Sequence, residues 1–493
     1  MEVVTILLTV LAVLLTYFIV RQMTYWSLRK VPHLRPIPLM GNMTSFFTRS
    51  QSPAEFSRKI YLKHSEIPYV GLMRFNTPVL LINSPELIKE IFIKNFDNNP
   101  DHLSFITEEF DPILGKNVFS LRGDRWRQVR AALTPSFTAT KIKFLFTLMA
   151  EVSRNVIKHL EDHPQECELL DAKDLFTRYA NDVIATSAFG LSVDSLKDRT
   201  NEFYLRGKDA TNLTGASRFF KFMMGMMFPR MMRLLGQSYL SKDTNRFFVE
   251  LIREEVKRRD LEKIVRPDMI HLLMQARGDK IETNDIVAQA FIFFLAGFDT
   301  TSTLMSFVVH QLAFHQDVQE KLHQEVEFLE EVEHEDLGKL KFLEMVILET
   351  LRFFPPVVIL DRVCSKRFKL PPPPGRSYQV EVEEGTVLWA PAFAMQRDSQ
   401  YFSDPETFDP ERFSDHNKGN VNPCAYMPFG IGPRKCIGER FAIMEIKLML
   451  AKLVKKFRIL PSEKSTKEII FDKKSLNLVP KGGIWVKLQR RKV

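Results

Sequence analysis

Phe429-Gly-Ile-Gly-Pro-Arg-Lys-Cys436-Ile-Gly-Glu-Arg-Phe-Ala442 is the stretch on which the reading of this chain turns. Gly430, Gly432 and Pro433 predict a tight loop whose backbone amides approach an anion or a sulfur. Cys436 ends the loop, and a helical run begins near Gly438. A helix N-terminus lowers a thiol's pKa, so the position suits a thiolate. Amides around the sulfur would tune its electron donation to a metal. The competing reading is a buried structural cysteine, the usual fate of a lone one.

The rest of the chain supplies the setting. It has 493 residues, 45% hydrophobic and 26% charged, which excludes a disordered, collagen-like or polytopic membrane protein. Four cysteines without a CxxC pair exclude a disulfide scaffold and a zinc ribbon, and fit a reducing environment. The net charge of +9, from 69 basic and 60 acidic residues, is spread along the sequence. It favours anionic partners or a membrane surface, with no nucleic-acid partner expected.

Beyond Ser52 no linker, repeat or low-complexity tract interrupts the chain except Pro371–Pro374, so one large unit is the economical reading. Helical patterns cover Pro85–Lys94, Asp124–Leu133, Thr140–Leu160, Asp174–Phe189, Asn201–Arg206, Asp243–Lys263, Asn284–His315, Val318–Glu330 and Leu340–Phe353. Strand patterns fall at Tyr69–Met73, Pro78–Ile82, Ser377–Val382, Val387–Ala390 and Ile484–Leu488. The fold class is therefore mainly α with minor β-sheets towards both ends.

Val3 to Val20 is an uncharged apolar run. As a helix it spans about 27 Å, close to a bilayer's hydrocarbon thickness. Arg21, Arg29 and Lys30 follow it, a charge order that leaves the C-terminal part cytosolic. Residues 1–22 are read as a single-pass membrane anchor, 23–50 as a stiff Pro-rich connector and 51–493 as the catalytic body. The apolar segment Phe219–Leu235 has two readings: a Met-rich core helix, or a lid dipping into lipid.

Three further patterns bear on chemistry. Glu349 and Arg352, three apart on a helix, form an ion pair that is commonplace when exposed. Trp126 and Arg130 share a helix face, where a surface cation–π pair is the bland reading. In Ala296-Gly-Phe-Asp-Thr-Thr301, small residues would let the helix backbone pass close to a flat cofactor. Asp299 and Thr300 make an acid–alcohol pair, unless the Thr300 hydroxyl simply bonds the preceding turn.

Together these motifs resemble the cytochrome P450 family of haem-thiolate monooxygenases over nearly the whole length. The family's Phe-x-x-Gly-x-Arg-x-Cys-x-Gly pattern is matched by Phe429, Gly432, Arg434, Cys436 and Gly438. A chance match of five such positions in a chain this long is on the order of one in ten thousand. The resemblance implies haem b, with Cys436 as axial ligand of its iron. It implies propionate holders at Trp126, Arg130, Arg362 and Arg434, and cofactor contacts at Ala296 and Phe429. Glu349, Arg352 and Arg412 become a structural lock, and Asp299 with Thr300 a proton supply. Phe291, Ile292, Leu295, Val357, Val358, Leu360, Leu476 and Asn477 become pocket wall, beside the Ser104–Phe119 stretch. Gln396 departs from the His found in many relatives, at a position that is not an iron ligand.

The implied partners are a membrane-bound NADPH–cytochrome reductase flavoprotein docking near Lys435 and Arg440, cytochrome b5, membrane lipid, and a lipophilic small molecule. The implied location is the endoplasmic reticulum membrane. Asp111–Arg122 and Arg266–Met274 are similar to insect microsomal members of xenobiotic metabolism. A selective hydroxylase of an endogenous lipid or hormone, and a non-enzymatic haem sensor, are the competing functions. Removing residues 1–20 is expected to release the chain from tight membrane integration, read by carbonate extraction; a truncated chain that stays fully integrated overturns the single-anchor reading.

Overall fold

The computed structural model describes residues 2–492, except 105, 213, 214, 267, 279, 280, 374, 376 and 476. The helices that position the site are α1 (Glu2–Leu28), α2 (Gly123–Leu133), α3 (Ala139–Asp162), α4 (Ala172–Phe189), α5 (Ala216–Met227), α6 (Lys242–Glu262), α7 (Thr283–Phe314), α8 (Lys341–Phe353) and α9 (Glu439–Lys456). The periodic segments thus fold as helices, most with ends shifted by a residue or two. The one expected at Asn201–Arg206 runs to Thr211, and the one expected at Val318–Glu330 stops at Val326. Ser52 adds an unforeseen helix, Pro53–Lys63: its hydroxyl and the Glu55 carboxylate close a capping box.

Among the described residues, nine strands form three sheets. The largest has the order β1 (Tyr69–Arg74), β2 (Thr77–Ile82), β7 (Val387–Ala390), β4 (Leu360–Val363), with β2 and β7 parallel and the other pairs antiparallel. A second sheet sets β9 (Trp485–Arg490) between β3 (Leu170–Asp171) and β8 (Phe457–Pro461). β5 (Phe368–Leu370) pairs with β6 (Val380–Val382). The pattern missed β3, β4, β5 and β8, since runs as short as Leu-Asp or Leu-Asp-Arg-Val carry little alternation to detect.

α7 is the axis of the helical part and packs chiefly along α4. Its mean hydropathy of 1.5 would suit a membrane span, yet 67% of that window is buried in the protein. α1 is the opposite case, with mean hydropathy 2.8 and none of the window buried. Its last turns do enter the body: Gln22, Tyr25 and Trp26 are buried. Trp26 Nε1 donates to Leu72 O at 2.8 Å, and Gln22 Nε2 to Phe75 O at 2.6 Å. The chain then runs beside β1, bridging His33 to Gly71 and Gly41 to Arg74.

α8 carries the deepest ion pair. Glu349 and Arg352 are both fully buried and joined by two bonds of 2.8 Å. Arg352 spends its remaining donors on the carbonyls of Gln396, Pro405 and Thr407. Arg412 closes on Glu349 at 3.4 Å. Gln396 completes the knot: its amide donates to Leu351 O and Arg352 O and accepts from Met427 N. A neutral amide here satisfies three backbone groups, so the departure from His costs the fold nothing. Replacing Arg352 by Met strands a buried carboxylate and is expected to cost about 3–5 kcal/mol, measured by chemical denaturation.

Candidate functional site

The cysteine loop is built on two left-handed glycines, Gly430 (φ 76°) and Gly432 (φ 72°). Gly432 also lies against the wide helical turn Glu90–Lys94: a Cβ there would sit 2.2 Å from Phe92 O. Cys436 N donates to Phe429 O at 2.9 Å and closes the loop ahead of α9. Phe429 packs against the core. Of the four free thiols Cys436 alone is exposed, while Cys167, Cys364 and Cys424 are buried. The thiol's titration corrects the sequence expectation. Desolvation pushes its pKa up, outweighing the Gly438 amide and the Arg130 and Lys435 charges. The helix terminus alone does not make it a thiolate; a bound cation would have to displace its proton.

A cluster of cations surrounds the loop. Arg434 is buried and uses all five N–H donors within the protein. They meet the carbonyls of Pro100, Val118, Phe119 and Leu121, and Asp101 Oδ1 at 3.4 Å. Its guanidinium carbon stands 4.0 Å from the centre of the Trp126 ring. The cation on Trp126 is therefore Arg434 rather than Arg130, whose Nη2 holds Lys435 O at 2.7 Å. Arg434 braces the loop and supplies charge, and keeps no donor for a further carboxylate. Arg362 differs: Nη1 and Nη2 bond Asp361 O and Ile431 O, while Nε is buried without an acceptor. Burial pushes both guanidiniums down, Arg362 to about 10 and Arg434 to about 9.

His102 and Asp361 join this cluster without any signal in the sequence, where 259 positions separate them. His102 Nδ1 is 3.1 Å from Asp361 Oδ1 and 3.5 Å from Arg362 Nη1. Its ring stacks on Phe119 at 4.7 Å.

On α7, Ala296 is exposed in the middle of an otherwise buried helix, with Leu295 and Thr300 half-buried beside it. Gly297 has a different task from the one its sequence suggests. A Cβ on it would lie 2.6 Å from Ile184 Cδ1, so the glycine admits α4, not a flat cofactor. Thr300 Oγ1 donates to Ala296 O at 2.7 Å, and Thr301 and Ser302 bond the preceding turn likewise. Asp299 is held from two sides. Lys173 Nζ reaches Oδ1 at 2.8 Å and Asn477 Nδ2 reaches Oδ2 at 2.8 Å. Desolvation favours the neutral acid, but Lys173 and Asn477 prevail and keep the carboxyl below its usual range. Lys173 Nζ also donates to Ser302 and Thr303, a contact that spacing alone did not reveal.

The expected wall residues separate. Phe291 is fully buried with its ring 5.5 Å from Phe248, so it belongs to the core between α7 and α6. Ile292, Val358 and Leu360 are buried, and Val357 is exposed. Leu476 lies outside the described residues. The donor set fits a haem: an accessible thiol for iron, and beside it the orphaned Arg362 Nε with Arg130 for carboxylates.

Residues 31–487 match the family model described as Cytochrome P450. Cytochrome P450 9e2 of Blattella germanica is 41% identical over 506 residues, covering 95% of this chain and 94% of that protein. Cytochrome P450 9c1 of Drosophila melanogaster is 35% identical, with 95% and 94% covered. Cytochrome P450 6j1 of Blattella germanica is 32% identical, with 99% and 98% covered. Gly432→Ala meets both a positive φ and the Phe92 carbonyl, and is expected to lose about 2–4 kcal/mol of thermal stability. Gly419→Ala, which opens onto free space, is the matched control and should stay within about 0.5 kcal/mol.

Proposed function

The chain belongs to the cytochrome P450 family, and on that premise we propose that it oxidises lipophilic small molecules, xenobiotics foremost, with electrons drawn from NADPH. Haem-thiolate monooxygenase chemistry comes with the family. The observation that carries the reading to this site is the exposed Cys436 thiol at the head of α9, in one loop with a buried cationic cluster that retains an unpaired donor.

Cys436 would hold the haem iron through Sγ, and Trp126, Arg130 and Arg362 would hold its carboxylates. When bound, haem supplies the redox chemistry that reduces dioxygen, placing one oxygen atom in the substrate and releasing the other as water. The protein's part is protons, position and exclusion of water. Lys173 Nζ keeps a proton on the ion pair with Asp299, next to the Thr300 hydroxyl that bonds Ala296 O. Asp299 is thereby a carboxylate, able to accept a proton from solvent and pass it on without itself drifting into the pocket. Leu295, Ala296 and Val357 offer the apolar surface that a lipophilic substrate needs.

An open groove of about 830 Å³ lies beside the cysteine loop, lined by Lys143, His334, Lys435, Arg440 and Lys447 among others. Glu335 and Glu439 also line it, against Lys143, Lys435, Arg440 and Lys447. The excess of basic groups supports docking of an acidic reductase flavoprotein there, with cytochrome b5 as a second donor. Phe220, Phe228, Met231, Leu234 and Leu235 are exposed on α5 and the following turn, Leu234 by 88%. Arg49, in the stretch after α1, covers the Phe219 ring at 4.9 Å, a contact that supports this apolar patch facing the same side as α1. The patch favours the lipid-dipping reading of 219–235 and an endoplasmic reticulum membrane location, with the body cytosolic.

The deciding measurement is the absorption spectrum of the reduced, carbon monoxide-bound protein beside Cys436→Ser. A red-shifted thiolate band that vanishes in the variant is expected. A haem band unchanged by the substitution, or no haem at all, overturns the reading.

A further inference from the structure

Six of the chain's 20 methionines fall in one ten-residue window: Met223, Met224, Met226, Met227, Met231 and Met232. The fold sorts them by depth. Phe222 is buried, and a Cβ on Gly225 would lie 2.5 Å from Phe110 Cε1, so that face of α5 is closed by the body. Met232 is buried too, and Met223, Met224 and Met226 are half-buried. Met227 and Met231 face outwards, 38% and 40% exposed, with Phe220, Phe228, Leu234 and Leu235.

Leucine or phenylalanine would serve a lipid-facing surface equally well, as the neighbouring positions show. Methionine differs from them in one chemical respect: its thioether oxidises reversibly. Hydrogen peroxide transfers an oxygen atom to the sulfur. The S–O bond forms as O–O breaks, the sulfur loses two electrons, and water leaves. The product is a sulfoxide, a polar acceptor on a side chain of nearly unchanged shape. Seated in hydrocarbon without a donor, such a group is strongly disfavoured. Dioxygen reduced by two electrons without insertion leaves as hydrogen peroxide, so the proposed reaction, run without substrate, supplies the oxidant.

We propose that Met227 and Met231 form a reversible oxidation site: hydrogen peroxide converts them to sulfoxides, and the segment 219–235 then withdraws from lipid. The inference rests on the lipid-dipping reading above and goes beyond it by making the depth of the segment depend on peroxide through two named side chains. The outward patch holds four residues that peroxide leaves apolar and two that it makes polar. Oxidation thus weakens the seat without dismantling it, and reduction of the two sulfurs restores it. The body-facing side, closed by Phe222 and by Gly225 on Phe110, carries no thioether at the contact and keeps α5 folded while its outer face changes.

The test uses the full-length, haem-loaded protein in phosphatidylcholine vesicles whose acyl chains carry a photoactivatable diazirine. Peptide masses after illumination report lipid adducts and sulfoxides together. Before peroxide, adducts are expected on 219–235 and on α1. After peroxide, Met227 and Met231 should each gain an oxygen, while the fully buried Met149, Met305, Met395 and Met449 gain none. Adducts on 219–235 should fall about 10-fold and those on α1 stay constant. Methionine sulfoxide reductase should restore them. The double variant Met227→Leu, Met231→Leu, close to the parent in volume, should keep its adducts through the same treatment. Met227 and Met231 that oxidise no faster than the buried methionines overturn the proposal. So does an oxidised protein that keeps its adducts on 219–235, a double variant that loses them, or a loss that the reductase does not reverse. A segment without adducts before peroxide overturns the lipid-dipping reading itself, which is a separate result.

Discussion

A buried guanidinium is a demand for acceptors, and this fold is organised by how that demand is met. Arg434 draws four backbone carbonyls and one carboxylate from residues 100–121 onto the cysteine loop. Arg352 does the same for residues 396–407 on the far side of α8. Neither arginine has an exposed alternative, so each segment must return to the same place for the charge to be tolerated. The position of Cys436 is thus set by long-range polar closure, with its own short loop adding the last constraint through Gly432 and Phe92.

Two acidic residues on α7 and α9 show the same logic with opposite outcomes. Asp299 is surrounded by a full set of donors and remains a carboxylate despite burial. Glu445, on α9, has only the Thr301 hydroxyl at 3.4 Å and is driven well above the ordinary carboxylate range. Two carboxyls on neighbouring helices are thus pushed in opposite directions, Asp299 down by Lys173 and Asn477 and Glu445 up by desolvation.

Much of this was legible in the chain itself. The cysteine loop, the long helices and the ion pair on α8 announce themselves because their determinants are local: glycines at fixed offsets, a 3.6-residue period, an i, i+3 spacing. What stayed hidden depends on residues far apart in sequence. Gly297 reads as a cofactor-facing glycine until Ile184 is seen against it. The Trp126 ring reads as Arg130's partner until Arg434 arrives from three hundred positions away. His102–Asp361 and Lys173–Asp299 have no pattern at all, since charge pairing between distant segments leaves no periodic trace. The thiol's pKa was misjudged because a helix terminus is visible in sequence and desolvation is not.

α1 does not end where the body begins. Its buried last turns, bonded to the carbonyls of Leu72 and Phe75, join the apolar helix and the body into one continuous piece. A protein moored by a slack tether explores every facing and must find the right one at each encounter. A protein mounted on a mast keeps its tilt and can only swivel, so a partner confined to the same plane searches one angle instead of three. With α1 in a membrane as proposed above, such a mounting would narrow the orientational search for an electron donor held in the same plane before any surface charge acts.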